Sequence, residues 1–306
     1  MNNTVEADPG YFAITLNTSV KVEMTVKEHA ALYRITFPRN LTTPTSKNSS
    51  ALPYTPVILF DLTDLPETRI NGTIGVSWKP SKGRFYGSGT FVPSFGLGTY
   101  DAHFCADAYA ASENFIVDGG VFMNNRAGSR PNQEPVTIVP NGNTPLVPAG
   151  AWLKFAAPPD DEIYLRVAVS LYSAERACEL IEFEFRDLEK GNYGNTFELT
   201  RRAAQDLWRE KLSVIEISST GVSTELSTVF WSGAYRAMIS PQDYTGQNPL
   251  WESDEPYYDS YYCIWDSFRS IHPLLTLVDP QSQTRMVRSL IDIYRHEGKR
   301  PRRYDK

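Results

Sequence analysis

Residues Tyr257–Leu277 read YYDSYYCIWDSFRSIHPLLTL, a span that packs aromatics, acids and one arginine into a single turn and helix. Trp265, Asp266 and Arg269 fall within about one helical turn, and residues three or four apart share a face. An indole, a carboxylate and a guanidinium on one face are the groups of a sugar site. A pyranose offers apolar C–H patches for a ring to cover and vicinal hydroxyls for planar charged groups to bond. The same spacing also suits a solvated Asp–Arg pair worth about 0.2–0.5 kcal/mol, with the aromatics as plain core. Tyr257, Tyr258, Tyr261 and Tyr262 crowd the approach. Tyrosine suits surfaces that are half apolar and half wet, which favours the ligand reading.

Upstream, residues 11–37 alternate polar and apolar, as in ITLNTSVKVEMTV and ALYRITF, which predicts half-buried strands. LTTPTSKNSSALP, within 40–53, reads as a loop and VILFDLTD at 57–64 as a fully buried strand. TIGVSW, GRFYGSGTF, GLGTYDAHFCAD and FIVDGGVFM follow as short strands with turn signals, the pattern of an all-β sandwich. Pro131–Pro148 reads as a long loop, and EIYLRVAVSLYS at 162–173 as the last strand. No fixed period recurs, which disfavours a solenoid or propeller. Gly87, Gly89, Gly96 and Gly98 lack the context of a phosphate loop and are assigned to hairpin turns. Trp78, Trp152, Phe85, Tyr86, Phe91, Phe95 and Tyr100 are assigned to sandwich core rather than to a carbohydrate-binding face.

The period changes near residue 174. AERACELIEFEF and LTRRAAQDLWREKLSVI keep a helical stripe through Leu199, Ala203, Leu207, Leu212 and Ile215. After a break at Ser218–Gly221, Leu226, Val229, Phe230, Ala234, Ala237 and Met238 mark a helix capped by Ser223 or Thr224 and closed before Pro241. A last helix starts at Asp279–Pro280, carries Met286, Val287, Leu290, Ile291 and Tyr294 on its apolar face, and ends at Gly298.

Composition bounds the class. With 306 residues and 41% hydrophobic content the chain can bury a sizeable core in two domains. A net charge of −6 and no basic stripe argue against a nucleic-acid partner, and no apolar run is long enough to cross a membrane. Cys105, Cys178 and Cys263 allow one disulfide or none, and with scattered His29, His103, His272 and His296 they form no zinc pattern. No leader segment opens the chain, which taken literally places the product in the cytosol. Against that, Asn2, Asn17, Asn40, Asn48 and Asn71 each begin an Asn-x-Ser/Thr sequon, which suits a secreted glycoprotein whose beginning is absent from this chain.

The segment PYYDSYYCIWDSFRSIHPLLTLVDP resembles the start of the catalytic domain of family-92 glycoside hydrolases, the calcium-dependent, inverting α-mannosidases, and most closely their fungal members. PGYFAITLNTSVKVEMTV, ALYRITFP, GSGTFVPSFGLGTYDAHFCAD and RVAVSLYSAERAC resemble that family's N-terminal domain. The resemblance implies an α+β multidomain chain. Residues 1–173 are expected to form a β-sandwich, 174–218 a helical linker, and 219–306 the first helices of a truncated (α/α)6 barrel. It implies mannose trimming from the N-glycans of glycoproteins, a mannose-containing glycan as partner, calcium as cofactor, and a secreted parent. The pair of carboxylates that inverting hydrolysis needs, and the calcium ligands, are expected downstream of Lys306. The chain alone is then expected to be inactive, with uncovered apolar helix faces. What matches residue by residue is Trp265, Asp266 and Arg269, implied to stack on and hydrogen-bond the terminal mannose. Asp254, Glu255 and Asp259 are read as solvated rim acids, and the tail RPRRYDK departs from the family pattern.

Two alternatives stand beside this reading. One is a non-catalytic carbohydrate-binding or structural fragment. The other is a peptide-N-glycan asparagine amidase of cytosol or nucleus, using Cys263, His272 and Asp266. On a single helix Cys263 and His272 would sit about 13 Å apart by helical rise, too far for a nucleophile–base hydrogen bond.

Overall fold

The alternating stretch at the start of the chain folds as antiparallel hairpins. A computed structural model describes residues 4–38, 42–43, 52–53, 56–62, 68–93, 98–110, 115–123, 134–138, 148–156, 161–218, 220–261 and 263–298. Within these, β1 (Val5–Asp8), β2 (Tyr11–Thr15), β3 (Lys21–Val26) and β4 (Ala30–Thr36) pair in succession. β5 (Thr42–Thr43) and β6 (Leu52–Pro53) form a two-residue ladder. Then come β7 (Val57–Asp61), β8 (Arg69–Lys79), β9 (Lys82–Phe91), β10 (Tyr100–Tyr109), β11 (Ile116–Met123), β12 (Val136–Ile138), β13 (Ala149–Phe155) and β14 (Glu162–Ser170). Asn2, Asn40, Asn48, Phe95, Gly96, Tyr262 and the tail RPRRYDK lie outside the described residues.

The strands make a nine-stranded sheet, β1-β2-β3-β4-β14-β10-β9-β8-β12, and a three-stranded sheet, β11-β13-β7. Their facing sides share one core. Ile74, Phe85, Ala106, Ala108, Ile163 and Leu165 of the large sheet meet Ile58, Ile116, Val121, Ala151, Leu153 and Phe155 of the small one. A fully buried aliphatic or phenylalanine side chain contributes about 1.5–3 kcal/mol, so this core supplies much of the sandwich's stability.

Strand period two sends the alternate residues to the opposite face. There Tyr11, Leu32, Cys105, Tyr109, Tyr164 and Ala168 pack under α1 (Ala174–Glu184), a 3-10 turn (Arg186–Lys190) and the start of α2 (Tyr193–Leu212). Ser173 caps α1 by accepting from Arg176 N, and a disulfide joins Cys178 of α1 to Cys105 of β10. The single bridge allowed by the sequence therefore ties helix to sheet, and Cys263 remains a thiol.

Polar rows cross this helix-covered face. Asp107 pairs in register with Arg84 on β9 and Arg166 on β14. Arg84 Nε donates to its carboxylate at 2.6 Å and Arg166 Nη2 at 2.7 Å, while both Asp107 and Arg166 are wholly buried. Arg166 Nη2 and the Tyr109 hydroxyl each donate at 2.8 Å to Glu189 Oε1, so the row holds the 3-10 turn down. Farther along, Glu23 accepts from Arg34 Nε at 2.7 Å and from the Tyr11 hydroxyl at 2.7 Å. Arg34 reaches Glu198 of α2 at 2.9 Å, and the Arg201 guanidinium lies 3.5 Å from the Tyr11 ring centre.

Those rows explain why the apolar stripe predicted for α2 is not its buried face. The helix buries Thr196, Phe197, Thr200 and Ala204, whereas Leu199 and Leu207 are exposed. Arg34 stacking on Phe197 and pairing with Glu198 rotates the docked face by about one residue, roughly 100°.

Other expectations change for local reasons. β7 is not fully buried: it edges the small sheet, so Ile58 faces the core while Val57 and Leu59 are exposed. Gly87 and Gly89 sit inside β9 rather than in hairpin turns. A Cβ on Gly87 would lie 2.2 Å from the Thr73 carbonyl oxygen, and one on Gly89 2.7 Å from the Phe91 ring, so tight cross-strand and same-strand packing selects glycine there. Within the expected loop Pro131–Pro148, β12 pairs with β8.

The chain divides into two compact units, Met1–Val92 with Tyr100–Gln205, and Pro93–Thr99 with Asp206–Lys306. The second unit holds the end of α2, α3 (Thr224–Ala237), β15 (Gln242–Asp243), β16 (Tyr258–Asp259), α4 (Ile264–Ser267), α5 (Ile271–Val278) and α6 (Pro280–Glu297). Ser223 caps α3 through Leu226 N. Asp279 caps α6 through Ser282 N, Pro280 fills its first turn, and left-handed Gly298 closes it. α3 buries none of its residues, and Leu226, Val229 and Phe230 are exposed. On α6 the buried stripe is Met286, Ser289, Asp292 and Ile293, with Val287, Ile291 and Tyr294 outward. Tyr258 N donates to Ser289 Oγ and Trp251 Nε1 to Asp292 Oδ2, which draws those polar positions inward. No helix among the described residues is long and apolar enough to cross a membrane.

Candidate functional site

The stretch from Tyr257 to Leu277 is not one helix. α4 makes a single turn, with Asp266 N and Ser267 N both donating to Cys263 O at 3.0 Å. It then tightens, Arg269 N reaching Asp266 O and Ser270 N reaching Ser267 O. α5 restarts at Ile271 with Pro273 in its first turn, where a missing N–H costs nothing. The Pro273 ring cannot bond to, and would clash with, the carbonyl four residues earlier, at Arg269, so the α4 turn cannot run on unbroken into α5.

Two tyrosines of the approach, Tyr258 and Tyr261, are clamped to α6. The Tyr261 hydroxyl donates to Met286 O at 2.9 Å, and Arg285 reaches the Tyr258 hydroxyl at 3.4 Å and Asp243 Oδ2 at 2.6 Å. Tyr258, Leu275 and Met286 form the small core beneath, with Tyr261 and Ile271 packed on it. Burial pushes the Tyr257 and Tyr261 hydroxyls upward, so both stay neutral donors near neutral pH. Burial opposes the Asp243 charge, but hydrogen bonds from Thr245 and Arg285 outweigh it and hold that carboxyl below its ordinary value.

A cavity of about 350 Å³ opens within this unit, lined by Arg236, Tyr261, Cys263, Asp266, Ser267 and Ser270, among others. That volume accommodates a monosaccharide-sized ligand. Of the three residues singled out by spacing, Asp266 lines the cavity, while Trp265 and Arg269 do not. Trp265 is 62% exposed, and Arg269 Nε turns back toward the Trp265 carbonyl at 3.4 Å. No ion pair joins Asp266 to Arg269 among the described residues, so the solvated-pair reading is not realised. The Ser267 hydroxyl is buried without a hydrogen-bond partner, a donor and acceptor left for a ligand hydroxyl.

Arg236 is the group that sequence reasoning missed. It sits in the last turn of α3, where a cation looks like ordinary compensation of the helix dipole, and only the return of the chain brings it to the same cavity as Asp266. Of the rim acids, Glu255 is held by Arg288 Nε at 2.6 Å, and Asp259 accepts from Ser260 N at 2.6 Å. His272 Nδ1 lies 3.0 Å from Gln283 Oε1, and Cys263 precedes α4 while His272 belongs to α5, so the amidase trio gains no support. Among the described residues no group of three or more His, Cys, Asp or Glu side chains gathers as a metal ion requires. No chemical step is assigned to calcium here.

Comparison with known proteins shows which family shares this sequence and fold. The glycosyl hydrolase family 92 N-terminal domain profile matches residues 1–170, and the family 92 catalytic domain profile matches residues 177–304. A protein of Arthroderma benhamiae described as a secreted glycosidase is 40% identical over 269 residues, 87% of this chain and 32% of its own length. The family GH92 α-mannosidase of Bacteroides thetaiotaomicron in complex with mannoimidazole superposes with a TM-score of 0.70 at 16% identity, covering 96% of this chain and 35% of that one. An inverting mannosidase of family GH92 from the same bacterium gives a TM-score of 0.69 at 20% identity, over 98% and 36%. This chain thus spans about a third of the length of the relatives it matches. With both family profiles matched along nearly its whole length, and the sandwich followed by helices found where they match, the chain belongs to glycosyl hydrolase family 92.

Proposed function

We propose that this chain supplies the sandwich and the first wall of the sugar pocket of an inverting α-mannosidase that trims mannose from N-glycans. The observation that carries the reading is that Asp266, Arg236 and Ser267, whose buried hydroxyl has no hydrogen-bond partner, line one cavity of sugar-sized volume. A carboxylate and a guanidinium lining one cavity can bond vicinal hydroxyls of a sugar and so fix the ring before reaction. Trp265, exposed and outside the cavity lining, has an apolar face free for the C–H side of a sugar, and Arg269 is a second guanidinium close in sequence. The described elements of this chain divide, on this reading, at 1–173 for the sandwich, 174–218 for the linker and 219–306 for the beginning of the catalytic domain.

Inversion requires a carboxylic acid at the leaving oxygen and a carboxylate activating water, about 6.5–9.5 Å apart. On this reading both groups, and the calcium dependence, belong to the part of the relatives that this chain does not span. The 306-residue chain alone should then show no turnover of an α-mannobiose, with or without calcium. A chimera in which this chain replaces the matching third of the Arthroderma relative should hydrolyse the same substrate in calcium-containing buffer. Proton NMR of the first product formed should show the β-anomer. Turnover by the chain alone, a folded but inactive chimera, or α-anomer as first product would each defeat the reading.

A further inference from the structure

We infer that Asn17 is an N-linked glycosylation site, and that the fold leaves the sequon at Asn71 bare. Asn17-Thr18-Ser19 forms the tip of the hairpin between β2 and β3. Leu16 N donates to Val20 O at 2.9 Å and Ser19 N to Leu16 O at 2.8 Å, so the backbone of the tip is fixed by its own turn. The side chains of residues 16–19 are all exposed. A branched saccharide on Asn17 therefore displaces nothing in the folded domain.

Asn71 carries the same motif in a different place. It is half-buried in β8, opposite Thr90 of β9 and one residue from the ladder with β12, and its sequon hydroxyl, Thr73 Oγ1, is bonded to Ser88 Oγ at 2.8 Å. Its side chain stands on a sheet face beside Thr90, Thr73 and Ser88, and a saccharide there would have to displace those cross-strand contacts. Chains modified at Asn71 should fold poorly and be lost, whereas chains modified at Asn17 fold unhindered.

Access to the modifying machinery has independent support from the Cys105–Cys178 bridge, since such crosslinks form and persist in oxidising compartments. The reaction is a group transfer. Asn17 Nδ2 bonds to C1 of the first sugar of a lipid-diphosphate-linked oligosaccharide, the C1–O bond to the diphosphate breaks, and the diphosphate leaves with the electron pair. The amide proton passes to a base of the transferase. A glycan at Asn17 would also screen the neighbouring sheet edge, because Thr15 N donates to Thr4 O and exposed β1 is the outermost strand.

The test is expression of the 306-residue chain behind a yeast secretion leader, with collection from cells and medium. Glycan release by N-glycanase in heavy-oxygen water labels each former acceptor as aspartate. The expected result is labelled residue 17 in most molecules, unlabelled residue 71, and loss of one glycan's mass in both Asn17→Gln and Ser19→Ala. Unlabelled Asn17 in molecules that carry the Cys105–Cys178 crosslink would overturn the inference. So would chains without that crosslink, or equal labelling at Asn71.

Discussion

Replacing Asp107 with alanine should lower the stability of the sheet domain by about 3–5 kcal/mol, because it leaves Arg166 as a buried cation without its main counter-charge. Arg166 is wholly buried, and the remaining Glu189 and the Phe185 carbonyl do not replace a carboxylate that takes two of its hydrogen bonds. Arg84 loses its two bonds to the same carboxylate. Asp107→Asn keeps an acceptor of the same shape but removes the charge, so it should fall between wild type and alanine. Urea unfolding followed by circular dichroism reads both. A loss under about 1 kcal/mol for Asp107→Ala would mean that the row is solvated rather than buried.

The same row gives the acid dependence its sign. Burial works against the Asp107 charge, but hydrogen bonds from Arg84 and Arg166 outweigh it and hold the carboxyl below its ordinary value. At Glu23 burial is likewise outweighed by Arg34 and Tyr11, which bring the carboxyl down to about 2. A depressed folded pKa stabilises the native state above the unfolded carboxylate range, about 4, and that stability is lost as pH falls through the folded values. For Glu23 the window runs from about 4 down to about 2, and Asp107→Ala should flatten the acid limb of stability against pH.

The second large effect belongs to the disulfide. Cys105 and Cys178 are 73 residues apart, and closing a loop of that length removes about 4 kcal/mol of chain entropy from the unfolded state. Reduction, or the double substitution Cys105→Ala with Cys178→Ala, should lower stability by about that amount and loosen α1 first. Amide exchange over 174–184 would show the loosening. An identical urea midpoint with and without reductant would show that the bridge does not form.

Much of this architecture is legible in the chain. Period two at 11–37 and 162–170 gives strands because one face packs and the other differs in polarity. Asp279, Pro280 and Gly298 give the ends of α6 because each satisfies a local backbone need. What is not legible is which face docks when the docking groups are polar. On α2 the apolar count points to Leu199 and Leu207, yet Arg34 and Tyr11 select the face of Phe197, Glu198 and Arg201. Likewise Ser289 and Asp292 look outward by type and are buried by partners from a distant loop. The candidate site shows the same split. Asp266 is found by local spacing, whereas Arg236, thirty residues earlier, joins it only through the return of the chain.

The claim that Asp266 forms part of a mannose pocket meets its most direct test in the kinetics of the chimera with the Arthroderma relative. Asp266→Ala in that protein should lower kcat/KM on an α-mannobiose by about 100-fold, the cost of a sugar misplaced by about an ångström, with an unchanged unfolding midpoint. Near-parental kcat/KM in the folded variant would contradict the account and return Asp266 to the solvated surface of α4.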